Sequence, residues 1–159
     1  VNVFRMFSLM GPRRIEAVSS GQIPLDEIIA KGVRERPDVG ALASLDKDRV
    51  VIMVWNYHDD DVPGPAADVT LDLKGLPKGF ASGKLTHYRV DQDHGNVYGA
   101  WQRMGSPMAP TKPQYDALEA ASGLAVIDGP APTWAKTGAT VTFQLPRQGV
   151  SLLVLDREP

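Results

Sequence analysis

The sequence predicts a mainly β protein: an antiparallel β-sandwich, immunoglobulin-like or jelly-roll-like, with a short helical segment at its N-terminus. Three observations predict it. Six or seven short strand-like stretches follow residue 37, each bounded by turn residues. Helical periods do not alternate regularly with them, which argues against a doubly wound parallel sheet. The 15 glycines and 13 prolines make up roughly a sixth of the 159 residues, against a usual ~12%, and favour turns over a helix bundle.

The elements follow in order. Val3, Met6, Phe7 and Met10 form a helical stripe that Gly11-Pro12 stops. Core-grade residues this close to a terminus are unusual, and suggest a helix separated from a partner. Arg13 to Gln22 reads as a polar connection. After Pro24, Leu25, Ile28, Ile29 and Val33 share one helical face until Arg36-Pro37 ends it. Val39 to Leu45 and Arg49 to Tyr57 read as a hairpin around Asp46-Lys47-Asp48. The second of these strands is apolar on both faces from Val50 to Trp55, as a central strand is. Val69, Leu71 and Leu73 alternate with polar residues as a half-buried strand does, and Lys84 to Val90 is another strand. The segment 91–110 is long and irregular, with a helical turn near Val97 to Met104. Thr111 and Gln114 have the spacing of a capping box, and open a helix with Tyr115 and Leu118 on one face and Gly123 at its C-terminal end. Leu124 to Ile127, Val141 to Leu145 and Val150 to Leu155 complete the strands.

Composition removes several function classes. Hydrophobic residues at 43% and charged residues at 23% fit a soluble globular protein. The chain has no cysteine, which excludes disulfides, thiol nucleophiles and Cys-ligated zinc. A net charge of −2 argues against a nucleic-acid or membrane-surface binder. No apolar run approaches the length of a membrane span, and no signal peptide opens the chain.

Chemistry-bearing motifs are sparse. Asp59-Asp60-Asp61 is the one carboxylate cluster, and it reads as a solvated turn that caps its own backbone. His58, His87 and His94 are not at metal-motif spacings, and no metal or other cofactor is implied. No serine stands in a nucleophile elbow, and no glycine-rich phosphate loop is present. Asn56 lies at the end of the central strand and His58 follows it, at a polar and aromatic strand end suited to a sugar or to neighbouring backbone. Asp93, His94, Asn96, Trp101 and Arg103 stand in the long 91–110 segment, a length typical of functional or domain-packing loops. These seven residues are the candidate contacts to substrate or to a neighbouring domain.

Four ordered segments carry a resemblance: Asn2-Val3-Phe4-Arg5-Met6, Val54-Trp55-Asn56-Tyr57-His58-Asp59-Asp60, the run from His87 through Arg103-Met104-Gly105-Ser106-Pro107, and Leu145-Pro146-Arg147-Gln148-Gly149-Val150-Ser151-Leu152. Together they resemble the C-terminal part of bacterial β-xylosidases of glycoside hydrolase family 39. The resemblance implies that residues 1–36 are the closing helix and linker of a (β/α)₈ barrel, and that residues 37–159 are an accessory β-sandwich. Val3, Met6, Phe7 and Met10 would then belong to the barrel core. It also implies that the catalytic glutamates lie upstream, so none of Glu16, Glu27, Glu35, Glu119 and Glu158 is assigned a role. The parent would release terminal β-xylose from xylo-oligosaccharides, in xylan degradation, with retention of configuration. Its partners would be the upstream barrel, xylo-oligosaccharide through the parent enzyme, and other copies in a homo-oligomer. Its compartment, cytoplasmic or exported, would depend on the upstream sequence. The other reading is a stand-alone carbohydrate-binding or structural interaction module.

Overall fold

A computed structural model describes residues 1–80, 83–129 and 131–157. Two antiparallel sheets make up most of it. The larger has six strands, in the order β1 (Arg13–Ile15), β2 (Asp38–Leu45), β3 (Arg49–Tyr57), β9 (Gly149–Asp156), β5 (Lys84–Val90) and β6 (Ala125–Ile127). The smaller has three, in the order β4 (Ala67–Lys74), β8 (Gly138–Leu145) and β7 (Thr133–Ala135).

The two-sided apolar pattern of β3 has a direct cause. Successive side chains of a strand point to opposite faces, and both faces of this strand are covered. Val50, Ile52 and Val54 join Leu153 and Leu155 of β9 against Val69, Val141 and Leu145 of the smaller sheet. Phe80, 1% exposed, is also part of that core. On the other face Val51 and Met53 join Leu152 and Val154 beneath Met6. The register matches these sets across the ladder: Val50 faces Leu155, Val51 faces Val154, Ile52 faces Leu153 and Met53 faces Leu152. A one-residue slip would exchange the two cores, so the register is strongly specified. At the far end of the hairpin, Trp55 lies across Gly40, where an added Cβ would come within 2.3 Å of the indole. The indole Nε1 donates to Asp38 at 2.7 Å.

The helices are not confined to the N-terminus. Besides α1 (Asn2–Ser8) and α2 (Leu25–Lys31), the structure has α3 (Val97–Arg103) and α4 (Lys112–Ala121) between β5 and β6. The Thr111–Gln114 capping box forms as its spacing predicts. Ser122 closes that helix, in right-handed conformation, rather than Gly123. Two strands escape the sequence reading. β1 lies in the stretch read as a polar connection, and β7 is three residues long. Both are edge strands too short to show alternation.

The N-terminal stripe divides. Met6 is fully buried, but against the larger sheet, while Phe7 is about half exposed and Phe4 is 79% exposed. Asn2 Nδ2 fastens the start of α1 by donating to the carbonyls of Gly95 and Gly123 at 2.7 and 3.1 Å. Arg5 donates to the Ser122 carbonyl at 2.7 Å. The α2 face divides too: Val33 is buried, whereas Leu25 and Ile29 are largely exposed. The helix ends at Gly32, and the Val33 N–H turns inward to Asp59 Oδ2 at 2.9 Å.

Met6 fills the centre of the second core, so Met6→Ala should cost about 2–5 kcal/mol. Urea unfolding of the variant measures this. A loss below about 0.5 kcal/mol, the usual range for a surface change, would mean that α1 is not seated on the sheet.

Candidate functional site

The candidate residues fall on two sides of the β8–β9 turn. The register sets Asn56 opposite Gly149 and Val90 opposite Val150. The ends of β3 and β5 therefore flank Pro146–Gly149 at one end of the larger sheet.

On the β3 side the candidates build structure. Asn56 is 1% exposed and donates through Nδ2 to the Leu145 carbonyl at 3.0 Å. His58 is buried. With its hydrogen on Nε2, the ring donates to the Arg34 carbonyl at 2.9 Å and accepts from the Asp60 N–H at 3.1 Å. Gln148 lies across the turn, in the left-handed region at φ 60°, and donates to the His58 carbonyl at 2.7 Å. Arg147 donates to the Val62 carbonyl at 3.2 Å. These contacts hold the acidic loop in place. Asp59 is occupied as well: the Val33 N–H, more than any other contact, holds its carboxyl below the ordinary carboxylate pKa. Within the triplet Asp59 is a backbone cap, but for the distant Val33 N–H rather than for its own turn.

The β5 side carries a buried polar network between the sheets. Arg89, Ser151 and His87 share the inner face of the larger sheet. Arg89 Nε and His87 Nε2 each lie 2.9 Å from Ser151 Oγ. Arg89 also donates to the Gln144 carbonyl of β8 at 3.0 Å, and its guanidinium lies 5.9 Å from the Phe143 ring centre. His87 meets the same ring edge-on at 4.9 Å. The Ser–His distance is that of an activated serine, but Ser151 is fully buried. No carboxylate meets His87 Nδ1, which has no hydrogen-bond partner among the described residues. The pair therefore cannot reach a substrate and is structural.

Asp91, absent from the sequence candidates, extends this network to the surface. Its Oδ2 lies 3.4 Å from Arg89, with both side chains 6% exposed. Its Oδ1 accepts from the Asp93 and His94 N–H groups, each at 2.9 Å, and meets His94 Nδ1 at 2.8 Å. Burial raises its pKa, but these donors outweigh burial and hold the carboxyl below its ordinary value. Asp91 follows a strand and its donors lie two and three residues ahead, which is the available sequence signal for an Asx turn. The partner that makes it important, Arg89, is visible only once β5 is paired.

The remaining candidates lie on the loop and α3. Asn96 caps α3 by accepting from the Gly99 N–H at 3.1 Å. Trp101 is half-buried and fixed by its Nε1, which donates to the Pro107 carbonyl at 3.0 Å. Tyr98 stacks on it, with ring centres 5.6 Å apart. Asp93 and Arg103 form a loose exposed pair at 3.5 Å. Of the seven candidates, Asn96 alone lines a groove of about 1120 Å³. The groove runs between the α1 start, the 61–64 loop, the Pro146–Gln148 turn and the Tyr98 and Gln102 face of α3. Among the described residues no cluster of three or more His, Asp or Glu is placed to hold a metal ion. No helix among them is long and apolar enough to cross a membrane. Glu158 lies outside the described residues.

Acid should weaken this network. Burial, and then the neighbouring Arg89 charge, lower the His87 pKa from 6.5 to about 4. The unfolded chain therefore binds the proton first. Stability is complete above about pH 6.5 and falls as the pH drops through the folded pKa near 4, by up to about 3 kcal/mol. Urea unfolding between pH 7 and pH 4 should show this loss, and His87→Gln should reduce it. Parallel pH profiles for the two proteins would contradict the assignment.

Comparison with known proteins agrees with this architecture. Residues 1–140 match glycosyl hydrolases family 39. Mouse (Mus musculus) α-L-iduronidase is 29% identical over 129 residues, covering 76% of this chain and 20% of that protein. Human (Homo sapiens) α-L-iduronidase is 30% identical over 117 residues, covering 68% of this chain and 18% of that protein. The chain thus spans about a fifth of the length of these curated relatives. Among solved structures, a monomeric β-xylosidase from Caulobacter crescentus CB15 superposes with a TM-score of 0.66 at 21% identity, covering 98% of this chain and 30% of that one. A GH39 enzyme from Xanthomonas axonopodis pv. citri superposes with a TM-score of 0.62 at 18% identity, covering 74% and 26%. The fold is shared with these enzymes, and the match over residues 1–140 places the chain in glycosyl hydrolase family 39.

Proposed function

We propose that the chain is the C-terminal accessory portion of a retaining β-xylosidase, with the catalytic glutamates on an upstream (β/α)₈ barrel. In this reading residues 1–36 are the closing helix and linker of the barrel, and residues 37–159 are the β-sandwich beside it. The observation that carries the reading is the two-sided character of α1. Met6 is seated on this chain's own sheet, while Phe4 and Phe7 of the same helix are 79% and 48% exposed. An outward apolar face of this kind suits a second domain.

The parent reaction would be double displacement. One carboxylate attacks the anomeric carbon while the other protonates the leaving oxygen, and water then releases the sugar with retained configuration. Within this chain, the two carboxylates nearest the β8–β9 turn with assigned contacts are engaged in structure. Asp59 caps Val33, and Asp91 joins Arg89 to the loop. The accessory part would hold the barrel and shape its surroundings.

A second reading concerns the sugar. The curated relatives named above are α-L-iduronidases, so the parent could instead act on terminal α-L-iduronide. Aryl β-xyloside and aryl α-L-iduronide assays distinguish the two. The chain alone should hydrolyse neither, and the chain joined to its upstream barrel should hydrolyse the xyloside. Cleavage of the iduronide instead would select the second reading. Turnover by the isolated chain would contradict both.

A further inference from the structure

We infer that β4 is a docking edge for a second copy of this chain, which adds its own β4 antiparallel to it in one register. Among the described residues the two sheets have four edges. Three of them, β1, β6 and β7, are three residues long. The fourth, β4, runs for eight residues and contains neither proline nor glycine. Its pairing with β8 is unbroken from Ala67 opposite Leu145 to Lys74 opposite Gly138, so no bulge turns the edge away. Among the described residues, no backbone group outside β8 bonds to it. A long, unbulged edge presents a row of free N–H and C=O groups to another strand.

The side chains select the strand that fits there. Two copies of one strand pair antiparallel about a two-fold axis, and directly opposite residues share a face of the sheet. The axis must therefore pass at a residue, because side chains alternate between faces. The longest symmetric pairings of β4, of seven residues, have their axes at Thr70 or at Leu71. An axis at Thr70 sets Asp68 opposite the partner's Asp72, in both directions. Like charges directly opposite destabilise a strand pair, and opposite charges stabilise it. An axis at Leu71 instead sets Asp68 opposite the partner's Lys74 and Thr70 opposite the partner's Asp72. All four of these side chains are exposed. Lys74 pairs only with its own exposed Asp72, at 3.0 Å, so it is free to meet a partner. On the inner face the same axis sets Leu71 opposite the partner's Leu71, and Val69 opposite the partner's Leu73. Leu71 and Leu73 are only half-buried at the rim of the first core, and a second β4 would cover their open sides.

The test is self-association under charge exchange. Sedimentation equilibrium of the 159-residue chain, across the micromolar range, should show the mass rising from 17.2 kDa toward twice that value. Lys74→Glu faces Asp68 with a carboxylate, and Asp68→Lys faces Lys74 with an ammonium. Each alone should weaken association about ten-fold, since the two-fold axis doubles each change. An equimolar mixture of the two variants restores both opposite-charge pairs and should recover association, as should the doubly substituted chain. Recovery also shows that the variants fold. A monomer at every concentration overturns the assignment, as does weakening that the mixture does not reverse. Association unchanged by either substitution overturns it too, and would place the contact elsewhere, such as at Phe4 and Phe7. The protein carrying the upstream barrel should repeat the series, and a monomer there would equally overturn the assignment.

Discussion

Burial of the β3–β9 ladder on both faces is the constraint on which the rest depends. A sheet with one wet face needs only alternating apolar residues. This one carries apolar side chains at consecutive positions, Val50 to Val54 and Leu152 to Leu155, so each face needs a cover. The smaller sheet covers one face. Met6, with Leu9, Met10 and Leu124 beside it, covers the other. Without α1 the second face would open to water, and without the smaller sheet the first would. Fixing both covers on one ladder also fixes the end of the sheet where the β8–β9 turn, the β3 end and the β5 end converge.

The groove inherits its shape from that convergence and from polar atoms buried next to it. Arg89 is an expensive residue to bury alone, because a charge removed from water needs a partner and further hydrogen bonds. It has both, in Asp91, Ser151 and the Gln144 carbonyl. Asp91 then uses its other oxygen to fold the 93–94 backbone, and so carries the order of the sheet into the loop. On the opposite wall Gln148 takes a left-handed conformation that costs a non-glycine residue about 1 kcal/mol. It keeps the side-chain amide that holds His58. Positioning in this region is therefore shared between Arg89 and Ser151, buried in the sheet, and Asp91 and Gln148, which also line the groove.

Much of the fold was legible in the sequence, for reasons that particular residues make plain. The apolar run of β3 declared a central strand, the alternation at Val69 to Leu73 and Val141 to Leu145 declared half-covered ones, and Thr111 with Gln114 declared a cap. β1 and β7 were not legible, because three residues cannot display a period. The stripe at Val3 to Met10 was visible as a stripe, but helical spacing does not say which neighbour each side chain meets. Met6 and Phe7 are adjacent in sequence, yet the sheet takes only Met6. The site was the least legible part. Asn56 and His58 have sugar-binding chemistry in isolation, but strand pairing places them against Leu145 and Arg34. Asp91 and Tyr98 gained their roles from Arg89 and Trp101, through contacts that become visible only in the folded chain.

Amide hydrogen exchange across the whole chain tests most directly whether the doubly covered ladder sets the groove. The amides of β3 and β9 should be the slowest to exchange. The Asp93 and His94 amides, which donate to Asp91, should be protected well beyond an exposed loop. Their protection should fall sharply in Asp91→Ala, which removes the accepting oxygen, while β3 and β9 remain slow. Fast exchange at residues 93 and 94 in the unsubstituted chain, beside a protected ladder, would contradict the account.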